Sequence, residues 1–152
     1  LYDSLTSLGS RYAFEKSLKQ ISENRYSTTI VTVDVNNLKL INDELGHAMG
    51  DIAIKSVGNY LKLTIQDSEV YRIGGDEFIV IYIGIIKEEF FTTLERKLFI
   101  QGISEKFDVS FSLGVSYYIP DLDTTIEEAL QISDNNMYKE KNSLKNNSSD
   151  RR

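Results

Sequence analysis

The sequence predicts a single α+β domain in which helices pack against an antiparallel or mixed sheet. Segments with apolar residues at helical spacing alternate along the chain with β-branched, strand-like runs. Two of these runs flank the adjacent glycines Gly74 and Gly75, which is a signal for an antiparallel hairpin. Helices between strands, combined with such a hairpin, are typical of the α+β class. At 152 residues the chain is long enough to bury a core of its own.

The first half of the chain predicts a helix, a strand and two more helices, at Arg11–Gln20, Thr28–Val35, Lys39–Leu45 and Asp51–Thr64. The longer helices carry apolar residues at three- and four-residue spacing, as core-facing helices do. The strand is rich in β-branched residues and has Asp34 near its carboxyl end, so this acid either lies exposed there or serves a function. Gly46 and Gly50 predict a loop between the two later helices.

The hairpin joins predicted strands at Glu69–Ile73 and Phe78–Ile83. We expect its glycines to supply the positive φ angles that a tight turn requires. Its tip carries Asp76 and Glu77, which repel each other and have low strand propensity. By itself this segment fits either a solvated acidic turn or a site that holds a cation.

The second half predicts a helix at Lys87–Phe99, a strand at Val109–Tyr117 and a last helix. The strand alternates apolar residues with serines and a glycine, as a strand with two different faces does. Thr124 and Glu127 form a plausible capping box for the last helix. We expect one domain over residues 1–146 and a polar, frayed tail at 147–152.

Composition limits the partners and the surroundings of the chain. The net charge of −6 argues against a nucleic acid as the main partner, since it leaves no basic stripe to bind phosphates. The absence of cysteine fits a reducing, cytoplasmic setting. Because the sequence starts at Leu1 and has no apolar run long enough to span a membrane, we expect a cytoplasmic piece of a longer protein. Any sensory region or membrane anchor would lie outside it.

Several ordered segments resemble the GGDEF family of diguanylate cyclases. Gly74 to Phe78 spells the family signature, Asp34 to Asp43 resembles D-x-D-x-F-K-x-I-N-D, and Gly46 to Asp51 resembles G-H-x-x-G-D. Residues 3–11, 110–115 and 133–141 resemble the opening motif, the last strand and the last helix of the family. The resemblance implies a ferredoxin-like palm, as in nucleotidyl cyclases, with a mostly antiparallel central sheet flanked by helices.

The resemblance also implies a metal site and a catalytic group. It assigns the Asp34 carboxylate, the Val35 carbonyl and the Asp76 carboxylate to two Mg²⁺ or Mn²⁺ ions, for which hard oxygen ligands are suited. Asp76 would also act as general base, Glu77 would support the metal site, and Lys39 would stabilise the transition state. The alternative is that the two aspartates only terminate strands.

For the substrate, the resemblance implies GTP. Asn42 and Asp51 match residues that read guanine, and His47 matches a substrate contact. The backbone N–H groups of Asn37 and Leu38 would cradle phosphates at a helix start, and two lysines of the last helix, Lys141 and Lys145, match basic phosphate ligands. Three alternatives remain open: Asn42 serves a turn, Asp51 is a helix N-cap, and the lysines are solvated surface charges.

The implied reaction is the condensation of two GTP into cyclic di-GMP by a homodimer. The alternative is a non-catalytic GTP-binding module that signals to a fused domain. Where many relatives carry the Arg and Asp of a product-inhibition motif, this chain has Ile65 and Ser68, so we expect no such inhibitory site. Asn36 replaces a frequent second Asp, and we expect this departure to affect rate more than reaction.

Overall fold

The five-stranded sheet that organises this domain is seen in a computed structural model, which describes the backbone of residues 1–150 and the side chains of residues 1–145. The elements are α1 (Arg11–Asn24), β1 (Thr28–Val35), α2 (Leu38–Leu45), α3 (His47–Thr64), β2 (Glu69–Arg72), β3 (Glu77–Ile83), α4 (Glu88–Thr93), β4 (Lys97–Gln101), β5 (Lys106–Tyr118) and α5 (Ile126–Asp150).

The sheet has the strand order β2-β3-β1-β5-β4, and every strand pairs with its neighbours in the antiparallel direction. This confirms the predicted α+β class. Helix α3 covers one face around a core that includes Val33, Val57 and Phe111, and helices α1 and α5 cover the other face. The two central strands, β1 and β3, are therefore buried on both sides, as the unbroken apolar run of β3 predicts.

The loop predicted between Gly46 and Gly50 is wrong. Helix α2 ends at Leu45 and α3 starts at His47, so Gly46 alone separates the two helices. Gly46 makes this sharp junction possible because its φ angle of 95° lies in the region that favours glycine. As a consequence Asp51 lies in the second turn of α3, which rules out the N-cap role for it.

The helix predicted at Lys87–Phe99 is wrong in its second half. Helix α4 ends at Thr93, Leu94 is already extended, and the chain continues as the edge strand β4. Leu98 and Ile100 point into the α3-side core while Lys97 and Phe99 are exposed, which is the two-residue period of a strand. The apolar residues of this short segment fit both periods, and pairing with β5 decides between them.

The N-cap of the last helix lies one residue later in the sequence than predicted. The N–H of Glu128 donates to the Thr125 hydroxyl at 3.1 Å, so Thr125 rather than Thr124 caps α5. The frayed tail predicted for 147–152 falls on residues outside the described side chains, and it stays a prediction, as does the boundary at 146. None of the helices in the described part of the chain combines the length and the apolarity that crossing a bilayer requires.

Candidate active site

The carboxylates of Asp34 and Asp76 meet at one end of the two central strands. Strand β1 pairs with β3 so that Asp34 lies opposite Glu77, and the N–H of Val35 donates to the Asp76 carbonyl at 2.8 Å. The N–H and C=O of one strand residue face the same neighbour, so the Val35 carbonyl is also directed toward Asp76. The structure therefore places these three residues next to one another, and their role as metal ligands stays a prediction.

The hairpin that carries Asp76 differs from the predicted tight turn. Four residues, 73–76, connect β2 to β3, and neither Gly74 nor Gly75 has a positive φ angle. A four-residue connection does not need the mirror-image turns that require positive φ. The N–H of Ile73 donates to the Glu77 carbonyl at 2.9 Å and closes the base of this loop.

A clamp of side-chain hydrogen bonds, which was not predicted from the sequence, holds this loop. The guanidinium of Arg72 donates to the Gly75 carbonyl at 2.9 Å, and its other end donates to both Asp3 carboxylate oxygens at 3.3 Å. Asp3 in turn accepts from the Thr6 N–H and hydroxyl at 2.8 and 2.7 Å. Burial opposes ionisation of Asp3, but the Thr6 hydrogen bonds and the Arg72 charge outweigh it and lower its pKa. Asp3 and Thr6 both belong to the opening motif, and this was the only sequence signal that pointed to the clamp.

The site concentrates negative charge in a partly buried place. Burial raises the pKa of Asp34, the Lys141 ammonium at its Oδ2 opposes this effect, and the nearby Asp76 charge reinforces it. Burial also raises the pKa of Glu77, with further contributions from Asp134, Asp34 and Asp76. Ionisation of these carboxylates is therefore unfavourable in the folded chain, and a bound cation would offset the repulsion between them.

The donor set fits a magnesium-type ion. Among the described residues no three His, Cys, Asp or Glu side chains converge on one point. The oxygen donors gathered here are the two carboxylates of Asp34 and Asp76 and the Val35 carbonyl. Mg²⁺ is commonly held by one or two carboxylates and completes its shell with water and substrate phosphates. The carboxylate repulsion described above and the hard oxygen donors both suit such an ion.

A cavity of about 500 Å³ lies between the β1–α2 turn, the start of β4 and α5. Neither carboxylate lines it, but Lys141, which contacts Asp34, does. Its lining includes Asn37, Lys141 and Lys145. Asn37 starts α2 in the left-handed conformation, and its side chain makes no capping hydrogen bond, so the first N–H groups of α2 are left for another acceptor. Leu38 is half-buried, whereas Lys39 is exposed and makes no ion pair with Asp34 or Asp76.

Asn36, the departure from the family pattern, is turned toward β5. Its amide nitrogen donates to the Ser110 hydroxyl at 3.0 Å, and its amide oxygen accepts from the Ser112 hydroxyl at 3.0 Å. Both functions of the amide are therefore satisfied by serines. The side chain anchors the β1–α2 turn to the sheet.

The two predicted guanine readers lie on adjoining turns of α2 and α3. The Asn42 side chain lies directly over Gly50, where a Cβ would overlap its Oδ1, so Gly50 is needed for this close approach. Asp51 follows Gly50 and is exposed, and His47 is exposed at the start of α3. The structure therefore brings the half-buried Asn42 next to the turn that carries the exposed Asp51.

The residues at the product-inhibition positions serve the fold. Ile65 is 1% exposed in the α3-side core, and the Ser68 hydroxyl donates to the Ile65 carbonyl at 2.5 Å. The Ser68 carbonyl also accepts from the Lys62 ammonium at 2.5 Å. The absence of product inhibition through this surface stays a prediction.

Asp34→Asn is expected to raise the melting temperature of the metal-free domain at neutral pH. A raised carboxyl pKa means that ionised Asp34 costs folding stability, and this cost appears as pH rises from below 3.8 through the raised pKa. The variant should match the wild type at the acidic end and exceed it above that pKa. Thermal unfolding between about pH 4 and pH 7 with a chelator measures this difference. A less stable variant at pH 7 would mean that the Lys141 ion pair outweighs the cost of burial.

A family model described as "Diguanylate cyclase, GGDEF domain" matches residues 1–147. Among curated relatives, the probable diguanylate cyclase DgcI of Escherichia coli is 33% identical over 91% of this chain and 30% of its own length. Diguanylate cyclase DgcP of the same organism is 34% identical over 91% of this chain and 44% of its own length. Diguanylate cyclase DgcS of Shewanella oneidensis is 36% identical over 57% of this chain and 31% of its own. The chain thus spans about a third of the length of the first such relatives.

Solved structures agree in fold. The GGDEF domain of TpbB, also called YfiN, from Pseudomonas aeruginosa superposes with a TM-score of 0.77 at 27% identity, over 94% of this chain and 90% of that one. The diguanylate cyclase SiaD of the same organism, solved with its activator SiaC, gives 0.82 at 23% identity, over 93% and 58%. The likeness extends to the palm fold with its curled antiparallel sheet. With the family model covering nearly the whole chain and the aspartates of its motifs joined at one sheet edge, this chain belongs to the GGDEF-domain family of diguanylate cyclases.

Proposed function

We propose that this domain condenses two GTP molecules into cyclic di-GMP and releases two pyrophosphates. The observation that carries the proposal is the pair Asp34 and Asp76 on adjoining strand ends, next to a cavity lined by Lys141 and Lys145. Carboxylates that hold a cation beside basic residues suit a triphosphate, which needs both kinds of charge. Membership in the family supplies the reaction type.

Asp34, Asp76 and the Val35 carbonyl would hold two Mg²⁺ or Mn²⁺ ions, with Glu77 as support. When bound, such ions neutralise the triphosphate and stabilise the attacking and leaving oxygens of an in-line displacement. Asp76 accepts the proton of the attacking 3′-hydroxyl, which requires a carboxylate that is ionised before the reaction.

The other site residues bind and orient GTP. The N–H groups of Asn37 and Leu38 donate to phosphate oxygens at the start of α2, and two lysines of α5, Lys141 and Lys145, add positive charge. Lys39 stabilises the charge that develops in the transition state. On the other side of α2, Asn42 and Asp51 hydrogen-bond the edge of guanine, and His47 contacts the substrate.

The reaction needs two copies of the domain. Each 3′-hydroxyl oxygen forms a bond to the α-phosphorus of the opposite GTP while the bond to pyrophosphate breaks, and its proton passes to Asp76. One copy presents one nucleotide, so catalysis requires an antiparallel homodimer. A regulatory region preceding this chain would control that pairing. The GGDEF domain of DgcB from Caulobacter crescentus has been solved in complex with c-di-GMP, which is consistent with this product.

A second candidate is a GTP-binding module without turnover. The contact between Lys141 and Asp34 favours it, because the ammonium occupies a carboxylate oxygen that a metal would need. Asn36 favours it as well, since it removes one charge found in many relatives. The intact Asp76, Glu77 and Lys39 favour the enzyme, because a binding module has no need of a transition-state lysine.

Incubation of concentrated protein with GTP and Mg²⁺, followed by chromatographic analysis for cyclic dinucleotide, tests the proposal. Turnover that increases steeply with protein concentration supports a dimeric cyclase. Saturable GTP binding without product would select the binding module, and neither result would select a domain without a ligand.

Asp51→Ser is expected to reduce discrimination between GTP and ATP. A guanine N–H that loses its carboxylate acceptor on desolvation is penalised by about 1–3 kcal/mol, which corresponds to roughly a 5- to 150-fold loss of selectivity. Competition binding with both nucleotides measures it, and Asp43→Ser, a change of another exposed acid nearby, serves as control. Unchanged selectivity would remove Asp51 from the reader's role.

A further inference from the structure

The 500 Å³ cavity is lined by basic residues on two sides, and the family resemblance assigns a role to only one of these sides. Besides Lys141 and Lys145 of α5, its lining includes Arg96 and Lys97 at the start of the edge strand β4. Lys97 is the first residue of β4 and Arg96 directly precedes it, and the two side chains differ in their charge partners.

All three nitrogens of the Arg96 guanidinium donate hydrogen bonds within the protein. Its Nε and Nη2 donate to the Glu140 carboxylate at 3.3 and 3.0 Å, and its Nη1 donates to the carbonyls of Phe91 and Leu94. Glu140 also accepts from the N–H of Leu113 at 2.6 Å. Releasing Arg96 toward a ligand would leave these partly buried acceptors unpaired, so Arg96 is a structural residue.

The ammonium of Lys97 is held only loosely. Its ion pair with Asp108 has an Nζ–Oδ2 distance of 3.8 Å, and both side chains are 56% exposed. Exposed pairs at this distance contribute little and are readily exchanged for a stronger partner. A doubly or triply charged phosphate is such a partner.

Lys97 also lies at the right place on the sheet. It pairs with Ser110 across β4 and β5, and Ser110 accepts the hydrogen bond of Asn36 in the β1–α2 turn. A second cavity of about 340 Å³ meets the first one at Asn36, Asn37, Lys97 and Ser110. Lys97 therefore lines the junction that faces the uncapped start of α2.

We propose that Lys97 is a phosphate-binding residue of the triphosphate cavity and that Asp108 restrains it when no nucleotide is bound. The inference rests on the proposed function for its substrate. It adds a residue from the edge strand, opposite α5, to the lysines already assigned. An edge-strand lysine can also serve to discourage pairing with other chains, and that role requires neither the cavity nor Asp108.

The test compares Lys97→Gln, Asp108→Asn and the control Lys106→Gln. Lys106 is an exposed lysine of the same hairpin and the same sheet face, and it does not line the cavity. Binding of 3′-deoxy-GTP with Mg²⁺, which keeps the triphosphate but lacks the attacking hydroxyl, is measured by calorimetry, and guanosine serves as the phosphate-free probe.

Lys97→Gln should weaken 3′-deoxy-GTP by about three- to tenfold and leave guanosine unchanged, and the effect should shrink at high salt. Asp108→Asn should tighten 3′-deoxy-GTP, because it removes both the restraint on Lys97 and a repulsive charge. Lys106→Gln should have no effect. If the ion pair only held the hairpin, the Lys97 and Asp108 variants would change binding in the same direction, and that result would overturn the proposal. Equal weakening of guanosine, or no weakening in Lys97→Gln, would overturn it as well.

These binding results are independent of turnover. A wild type that binds 3′-deoxy-GTP but makes no cyclic di-GMP from GTP would contradict the proposed function and still decide the role of Lys97. A wild type that makes the product, together with a Lys97→Gln variant of unchanged affinity, would contradict only the role of Lys97. Failure of the wild type to bind 3′-deoxy-GTP would contradict both.

Discussion

Replacing Asp76 with asparagine is expected to lower cyclic di-GMP synthesis by about a hundredfold or more, because it removes the carboxylate to which we assign both metal binding and the general-base role. Asparagine keeps the shape of the side chain and removes its charge. The backbone of Asp76 still accepts from the Val35 N–H, so the strand pairing should remain. The variant should therefore fold normally and fail in the reaction.

Initial rates with GTP and Mg²⁺, together with thermal unfolding of the same samples, measure both expectations. Asp34→Asn should lose activity to a similar degree and gain stability at neutral pH, for the reason given above. Asp123→Asn, in the exposed loop before α5, should change neither quantity and controls for net charge. A rate above a tenth of the wild type in either site variant would show that the metal assignment is wrong.

Local sequence signals predicted most of the elements, since their patterns are long or unambiguous. The β-branched run of β1, the apolar run of β3 and the alternation of β5 all appear in the structure as expected. The strand β4 was missed because five residues with three consecutive apolar side chains fit a helix as well as a strand. Its pairing with β5, a tertiary contact, decides the outcome.

The chemistry of the site was predicted from motifs, whereas its connections were not. The Arg72–Asp3 clamp joins residues 69 positions apart, and the contact of Lys141 with Asp34 joins residues 107 apart. No periodicity or propensity encodes such pairs. The ion pair of Arg96 with Glu140 also joins residues far apart in the sequence. It holds Arg96 in a structural role, whereas the neighbouring Lys97 has only a loose ion pair.

Helix α5 brings Lys141 to Asp34, and the position of this helix depends on one glycine. Gly114 of β5 lies against the α5 backbone, where a Cβ would overlap the Ser133 carbonyl oxygen and the Met137 nitrogen. Hydrogen bonds hold the helix at this distance: the Asn136 amide donates to the Val115 carbonyl at 3.0 Å, and the Thr32 and Ser133 hydroxyls are 2.7 Å apart.

Gly114→Ala is therefore expected to destabilise the domain by about 1–3 kcal/mol and to lower its activity strongly. The overlap involves backbone atoms, so no side-chain rotation relieves it, and α5 must move away from β5 and β1. That movement takes Lys141 away from Asp34 and opens the cavity that would hold the triphosphate. Denaturant unfolding measures the loss of stability, and binding of 3′-deoxy-GTP to the folded variant measures the displacement. Gly75→Ala is the matched control for stability, because the added Cβ meets no atom within 4 Å and the φ angle there is not positive. Equal unfolding free energies for the Gly114 and Gly75 variants would show that α5 can shift without cost, and Gly114 would then have no part in placing Lys141.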